Sequence, residues 1–183
     1  MFGTKLGYAE YCAIPEDGLR HEVIDGVHFV NPAPFSPHQG ALARLTIELG
    51  NSIDRPGLGR VYVAPFDVQL SEYDIVQPDI VVVLNDKKQI ITETHIVGAP
   101  DLVVEILSKS TRRHDRERKF ALYERSGIRE YWIVDTDAQV IDQFVLVPCD
   151  SDHSRYELRA QASSSLQLAI LPDVTIELAR VWE

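Results

Sequence analysis

Hydrophobic positions in this chain follow two periods. Between residues 38 and 49, Leu42, Leu45 and Leu49 recur at helical spacing, which predicts an amphipathic helix. Residues 76–84 and 101–107 are nearly continuous in Val, Ile and Leu, as suits central strands covered on both faces. Residues 60–70 and 130–135 read as further strands, and residues 140–147 and 156–159 as antiparallel additions at a sheet edge. Ahead of them, Asp25-Gly26 stands between two β-prone runs, a hairpin signal because a type I′ turn needs positive φ at both central positions. Residues 4–14 predict a short first helix capped by Thr4 and stopped by Pro15. Three prolines make residues 31–37 a loop. Residues 112–125 predict a second long helix, ended by Ser126-Gly127. The order is a hairpin, a helix, three strands, a helix and a strand. It predicts an α/β (α+β) domain in which a mixed sheet is flanked by helices.

Composition narrows this. The 183 residues are 45% hydrophobic and 25% charged, an ordinary globular balance that excludes disordered, collagenous and membrane classes. One domain over 1–183 is expected, with an N-terminal helix and hairpin (1–37), a core (38–135) and C-terminal strands (136–183). The formal net charge is −10, opposite in sign to a protein that covers nucleic acid by bulk electrostatics. Any nucleic-acid contact must use a local basic patch. Cys12 and Cys149 lack metal-type spacing, which excludes a disulfide framework and suits a reducing compartment. No signal-like or membrane-length apolar run is present, so a cytoplasmic location is expected.

Two acids stand where acids are costly. Asp79 opens the run Ile-Val-Val-Val, and Glu105 lies within Leu-Val-Val-Glu-Ile-Leu. Side chains alternate along a strand, so Val103, Glu105 and Leu107 share one face. A buried carboxylate stays ionised only beside positive charge. If the two strands are neighbours, both carboxylates can converge on one divalent cation such as Mg²⁺, which accepts one or two carboxylates and completes its shell with water and phosphate. The competing reading is a structural ion pair at each acid. Mutual repulsion between the acids would make removal of either one stabilising without the cation. Lys109, Arg112, Arg113, Arg116, Arg118 and Lys119 form the dense basic segment of the chain. Arg112, Arg116, Lys119 and Tyr123 fall on one helical stripe, and Asp115 and Lys119 are an i, i+4 pair. Lys119 abuts Phe120-Ala121-Leu122-Tyr123, so its stem should face the sheet.

These residues carry a family resemblance. Glu22-Val-Ile-Asp-Gly, Pro37-His38-Gln39, Gln77-Pro78-Asp79, Gly98-Ala-Pro-Asp-Leu-Val-Val-Glu105-Ile-Leu-Ser, Ser110-Thr111, Asp115, Lys119, Tyr123 and Gly127-Ile-Arg-Glu-Tyr-Trp-Ile-Val-Asp135 resemble the Uma-type, restriction-endonuclease-like family of the PD-(D/E)XK nuclease superfamily. The likeness spans most of the chain. It implies a restriction-endonuclease-like core and Mg²⁺- or Mn²⁺-dependent hydrolysis of nucleic acid, with DNA as the expected substrate. Asp79 and Glu105 match the two metal-binding acids. The superfamily lysine normally lies two residues after the second acid, where this chain has Leu107. Lys119 matches the helical lysine that takes over in this family, with Lys109 as its rival. Glu22, His38 and Gln39 also match family positions, and His38 is a candidate for substrate contact.

The resemblance further implies that the carbonyl of Ile106 joins Asp79 and Glu105 at the cation. Lys119 would orient water or bind the scissile phosphate. Gln77 would contact substrate, with Asp115, Tyr123 and Glu22 as supporting residues. The basic segment itself offers Arg112, Arg113 and Arg116 to flanking phosphates, the competing reading being a solvated helix surface laced with salt bridges. A homodimer is expected, because residues 140–147 offer an edge strand that needs covering. Two rivals remain at this point: a non-catalytic nucleic-acid-binding module on the same fold, and a glycosidase using Asp79 and Glu105 as an acid/base pair.

Overall fold

The computed structural model describes residues 5–31, 35–108, 114–149 and 154–183, with backbone alone for 114–116. Its elements in chain order are α1 (Tyr8–Cys12), β1 (Arg20–Ile24), β2 (Val27–Asn31), α2 (Ser36–Leu49), β3 (Gly59–Val63), β4 (Val68–Ser71), β5 (Asp74–Val76), β6 (Ile80–Leu84), β7 (Ile96–Val97), β8 (Leu102–Ile106), α3 (Phe120–Arg125), β9 (Glu130–Asp135), β10 (Val140–Pro148), β11 (Ser154–Ala162), β12 (Ser165–Gln167) and β13 (Thr175–Glu177). A wide helical turn, His114–Lys119, runs straight into α3.

A six-stranded sheet in the order β11-β10-β9-β8-β6-β3 forms the centre. Its β8/β9 pair is parallel, and the other pairs are antiparallel. A parallel pair needs a crossover connection, and the His114–Lys119 turn with α3 provides it. The continuous Val/Ile/Leu runs are explained by burial on both faces. On one face Val82, Leu102, Val104 and Trp132 pack with Ala41, Leu45 and Leu49 of α2. On the other, Val81, Val83, Val103, Tyr131 and Ile133 pack with Leu122 and Tyr123 of α3 and with Ile24, Val68, Val76 and Ile96. The latter four belong to a smaller sheet, ordered β2-β1-β5-β4-β7.

The hairpin forms as its sequence predicts: Asp25 and Gly26 take φ of 54° and 79°, and Ile24 pairs with Val27. Other expectations are corrected. Residues 60–70 are not one strand but β3 and β4, in different sheets. Pro65, between them, has no amide hydrogen for a ladder. Residues 76–84 divide in the same way, with β5 and β6 separated by Pro78. The first helix is only Tyr8–Cys12, and the Glu10 carboxylate accepts the Gly7 amide in front of it; Thr4 lies outside the described residues. The loop predicted at 31–37 is shorter, since α2 begins at Ser36 with Pro37 in its first turn, where a missing N–H costs nothing. Residues 140–147 do not form the edge: β11 covers β10 along its length, so β11 is the edge strand.

Leu45 is fully buried on α2, whereas Ile47 on the same helix is 59% exposed. We expect Leu45→Ala to lower unfolding free energy in urea by roughly 2–5 kcal/mol, and Ile47→Ala to change it by no more than about 0.5 kcal/mol.

Candidate active site

Asp79 follows Pro78 at the head of β6. The pairing of Ile80 with Val104 places Asp79 across from Glu105 on the adjacent antiparallel strand. The two acids are therefore neighbours, as the sequence required for a shared site. Both are nearly fully buried, at 2% and 3% exposure.

Asp79 is held from three sides. Arg20 Nη1 donates to Oδ1 at 3.0 Å, and His38 Nε2 lies 3.0 Å from Oδ2. The amide of Ile106 donates to the same Oδ2 at 2.8 Å, so the carboxylate replaces a strand partner where the β6 ladder stops. Burial pushes the Asp79 carboxyl up, but His38, Arg20 and the Ile106 amide outweigh it and hold it below the usual carboxylate value. Arg20 and Glu22 alternate with Ile24 on the inner face of β1, which aims both charges at the large sheet.

Glu105 is held by the lysine and the tyrosine. Lys119 Nζ donates to Oε1 at 2.9 Å and the Tyr123 hydroxyl donates to the same oxygen at 2.6 Å. Burial first, then the neighbouring Glu105 and Glu22 charges, keep the Tyr123 hydroxyl protonated far above its ordinary range. Lys119 also reaches Glu22 Oε1 at 2.9 Å. Glu22 accepts the Gln77 amide at 2.8 Å and the Asn31 side-chain amide at 2.6 Å. Burial raises the Glu22 carboxyl, and Lys119, Gln77 and Asn31 together bring it below its usual value.

The structure thus gathers Asp79, Glu105, Lys119, Glu22, His38, Tyr123 and the backbone of Ile106. It does not gather Gln39, which is exposed on α2. The Gln77 side chain is spent inside the protein, donating to Asp67 at 2.8 Å and to the Tyr11 hydroxyl at 3.2 Å. Lys109, Arg112 and Arg113 lie outside the described residues, as do the side chains of Asp115 and Arg116. Arg118 stacks on Phe29, 4.9 Å from the ring centroid. Sequence reasoning missed Arg20, Asn31, Asp67 and Tyr11. The Arg20-x-Glu22-x-Ile24 alternation was the available signal for the first.

The acids were expected to repel each other. Their pairing overturns that: Asp79 has Arg20 and His38, and Glu105 has Lys119. Removing either acid takes a close anionic partner away from a buried cation.

Among the described residues no three His, Cys, Asp or Glu side chains converge as a metal-ligand set. A two-carboxylate, all-oxygen site still fits the chemistry of Mg²⁺. An ionised carboxylate has about four acceptor positions. Arg20 occupies one on Asp79 Oδ1, while His38 and Ile106 share Oδ2, so Oδ1 keeps capacity. Beside the acids, a cavity of about 290 Å³ is lined by Phe35, Pro37, His38, Leu107, Ser108, Thr136 and Asp137.

The layered sheets, the crossover helix and the paired acids mark an α+β fold with a restriction-endonuclease-like core, N-terminal hairpin and C-terminal edge strands. A solved structure from Anabaena variabilis, described as a "putative nuclease belonging to DUF820", superposes with a TM-score of 0.74 at 15% identity, covering 97% of both chains. The chain belongs to the Uma2 family, whose model, "Putative restriction endonuclease", matches residues 8–179. It is also 28% identical over 169 residues to an uncharacterized protein of Synechocystis sp., covering 90% of this chain and 85% of that protein.

The depressed Asp79 and Glu22 carboxyls set an acid dependence. Their ordinary values are 3.8 and 4.5. The stability they contribute is complete above those values and is lost as pH falls through the lower folded values. We expect urea midpoints to hold above about pH 5 and to fall steeply below it. Asp79→Asn and Glu22→Gln should be less stable at neutral pH and show a shallower acid limb.

Proposed function

We propose that this protein is a metal-dependent endonuclease that hydrolyses phosphodiester bonds of nucleic acid, with DNA as substrate. The observation that carries the reading is the buried Asp79–Glu105 pair on adjacent strands, with Lys119 bonded to Glu105. Family membership supports the same class.

Asp79, Glu105 and the carbonyl of Ile106 would hold Mg²⁺ or Mn²⁺. Bound there, the cation would supply Lewis-acid stabilisation of phosphorane charge and a water of lowered pKa. The protein's own groups do the positioning. Tyr123 and Lys119 fix Oε1 of Glu105, so the carboxylate presents one defined geometry. Arg20 and His38 keep Asp79 ionised. Lys119, gripped by Glu22 and Glu105, is set to orient a water or to meet the scissile phosphate. His38, on the first turns of α2, is the described substrate-side residue. Arg112, Arg113 and Arg116 would touch flanking phosphates, a contact that gives affinity without sequence readout.

A general acid needs a raised pKa and the Asp79 carboxyl is held down, so a glycosidase on these acids would need Glu105 as its acid and Asp79 as its nucleophile or base. Metal dependence separates that alternative from the nuclease. The non-catalytic module is separated from the nuclease by cleavage itself. With supercoiled DNA and Mg²⁺ or Mn²⁺, we expect nicking that a chelator abolishes. Asp79→Asn, Glu105→Gln and Lys119→Ala should each lose at least about a hundredfold, while Lys109→Ala stays within a few fold. Full activity in Lys119→Ala with loss in Lys109→Ala would reverse the lysine assignment, and full activity in both acid variants would remove the site.

We also propose a homodimer contact at β11. Antiparallel self-pairing centred on Leu158 sets Glu157 against Arg159 of the second copy, on both sides of the two-fold axis. Leu158 is 55% exposed. Light scattering should give a dimer mass for the wild type and a monomer mass for Leu158→Pro, which blocks that edge; a wild-type monomer at all concentrations would eliminate the contact.

A further inference from the structure

The described lining of the cavity beside the acids is not one built for a phosphate. Among those residues there is neither lysine nor arginine, and Asp137 is one of them. Its walls are Phe35, Pro37 and Leu107, with Ser108 and Thr136 as polar groups. Phe35 is 68% exposed at the entrance to α2, so its ring is open to a stacking partner. The cavity adjoins the acid cluster through His38 and the chain that follows Ile106. His38 is a wall of the cavity and also contacts Asp79 Oδ2 at 3.0 Å, and Leu107-Ser108 directly follow Ile106, whose amide donates to that oxygen. A flat, apolar ring with polar edges would fit here, next to a phosphate at Asp79 and Glu105. A second cavity of about 340 Å³ shares Pro37 and Thr136 with the first and brings Arg44 and Trp182 to its lining. There a cation and a second aromatic lie further along the same path, as in grooves that track single strands.

We propose that the Phe35 cavity is a nucleobase subsite, and that the substrate class is nucleic acid with an unstacked base beside the scissile phosphate, namely single strands or frayed ends rather than intact duplex. A base inside a duplex is already stacked on both faces and cannot enter. Stacking on Phe35 is indifferent to base identity because every base has a π-face, so little sequence preference is expected. The proposal rests on the nuclease reading given above and names its substrate.

The test measures fluorescence anisotropy of labelled oligonucleotides in Ca²⁺, comparing a single strand, the same strand with one abasic site, and its duplex. Wild type should bind the single strand at least about tenfold more tightly than the duplex, the loss typical of one missing stacked base. Phe35→Ala should lose about tenfold on the single strand and nothing on the duplex, while Phe35→Trp should restore the preference. Scanning the abasic site should reveal one position at which wild type loses affinity and Phe35→Ala does not. Equal affinity for single strand and duplex, or an unaffected Phe35→Ala, overturns the subsite. If cleavage then still depends on Asp79, the nuclease reading stands alone. Absence of binding and cleavage with every form removes both.

Discussion

One buried ammonium group between two buried carboxylates holds the site together. Lys119 is 2% exposed and lies 2.9 Å from both Glu22 and Glu105. Withdrawing three charges from water is expensive, and only close mutual pairing with further hydrogen bonds makes it tolerable. Those three residues come from different layers: Glu22 from β1 of the small sheet, Glu105 from β8 of the large one, Lys119 from the helical turn that crosses between β8 and β9. The ion cluster therefore fixes the distance between the sheets as well as the chemistry. Asn31 and the Gln77 amide steady Glu22 from behind, and Gln77 passes the constraint on to Asp67 and Tyr11. Removing Lys119 takes from two buried carboxylates the cation they share, a loss of about 3–5 kcal/mol.

Asp79 repeats this arrangement at the other side of the same strand pair. Arg20 reaches it from the small sheet and His38 from α2, on the opposite face of the large sheet. Between Asp79 and Glu105 the described groups are close to electrical balance: three acids, two permanent cations and a histidine. A divalent cation added to that set shifts the balance towards positive charge, which a phosphodiester then offsets. The pairing of these groups and the proposed demand for a phosphodiester have the same electrostatic root. As it stands the cluster is nearly self-neutral, and with the proposed cation it would have an unmet demand for an anion.

Much of this was legible because burial costs leave marks in sequence. An acid inside a Val/Ile/Leu run cannot be accidental, so Asp79 and Glu105 stood out, and the helical stripe pointed Lys119 inward. The hairpin was visible through the special φ demanded at Asp25-Gly26. The partition of strands between two sheets was not, because a proline inside an apolar run reads locally as a weak spot, and which sheet resumes afterwards is decided by packing far along the chain. Arg20 was missed for a related reason. An arginine at the start of a β-run looks like an ordinary polar edge residue, and only the pairing of β1 with β5 carries it to Asp79. Residues 140–147 read as an edge because the shorter run after them gives no sign that β11 extends over nine residues.

The net charge of −10 constrains how such a protein can hold a polyanion. Away from a local basic segment, a long duplex laid across the surface meets like charge, and at physiological ionic strength that field fades only beyond roughly 8 Å. Phosphate contacts alone must work against it. A stacked base does not, because its attraction comes from apolar area and ring geometry and not from charge. The Phe35 cavity therefore supplies what the electrostatics lack. It gives affinity close to the acids for a substrate short or flexible enough to present a bare base, and it leaves the acidic remainder of the surface to turn continuous duplex away.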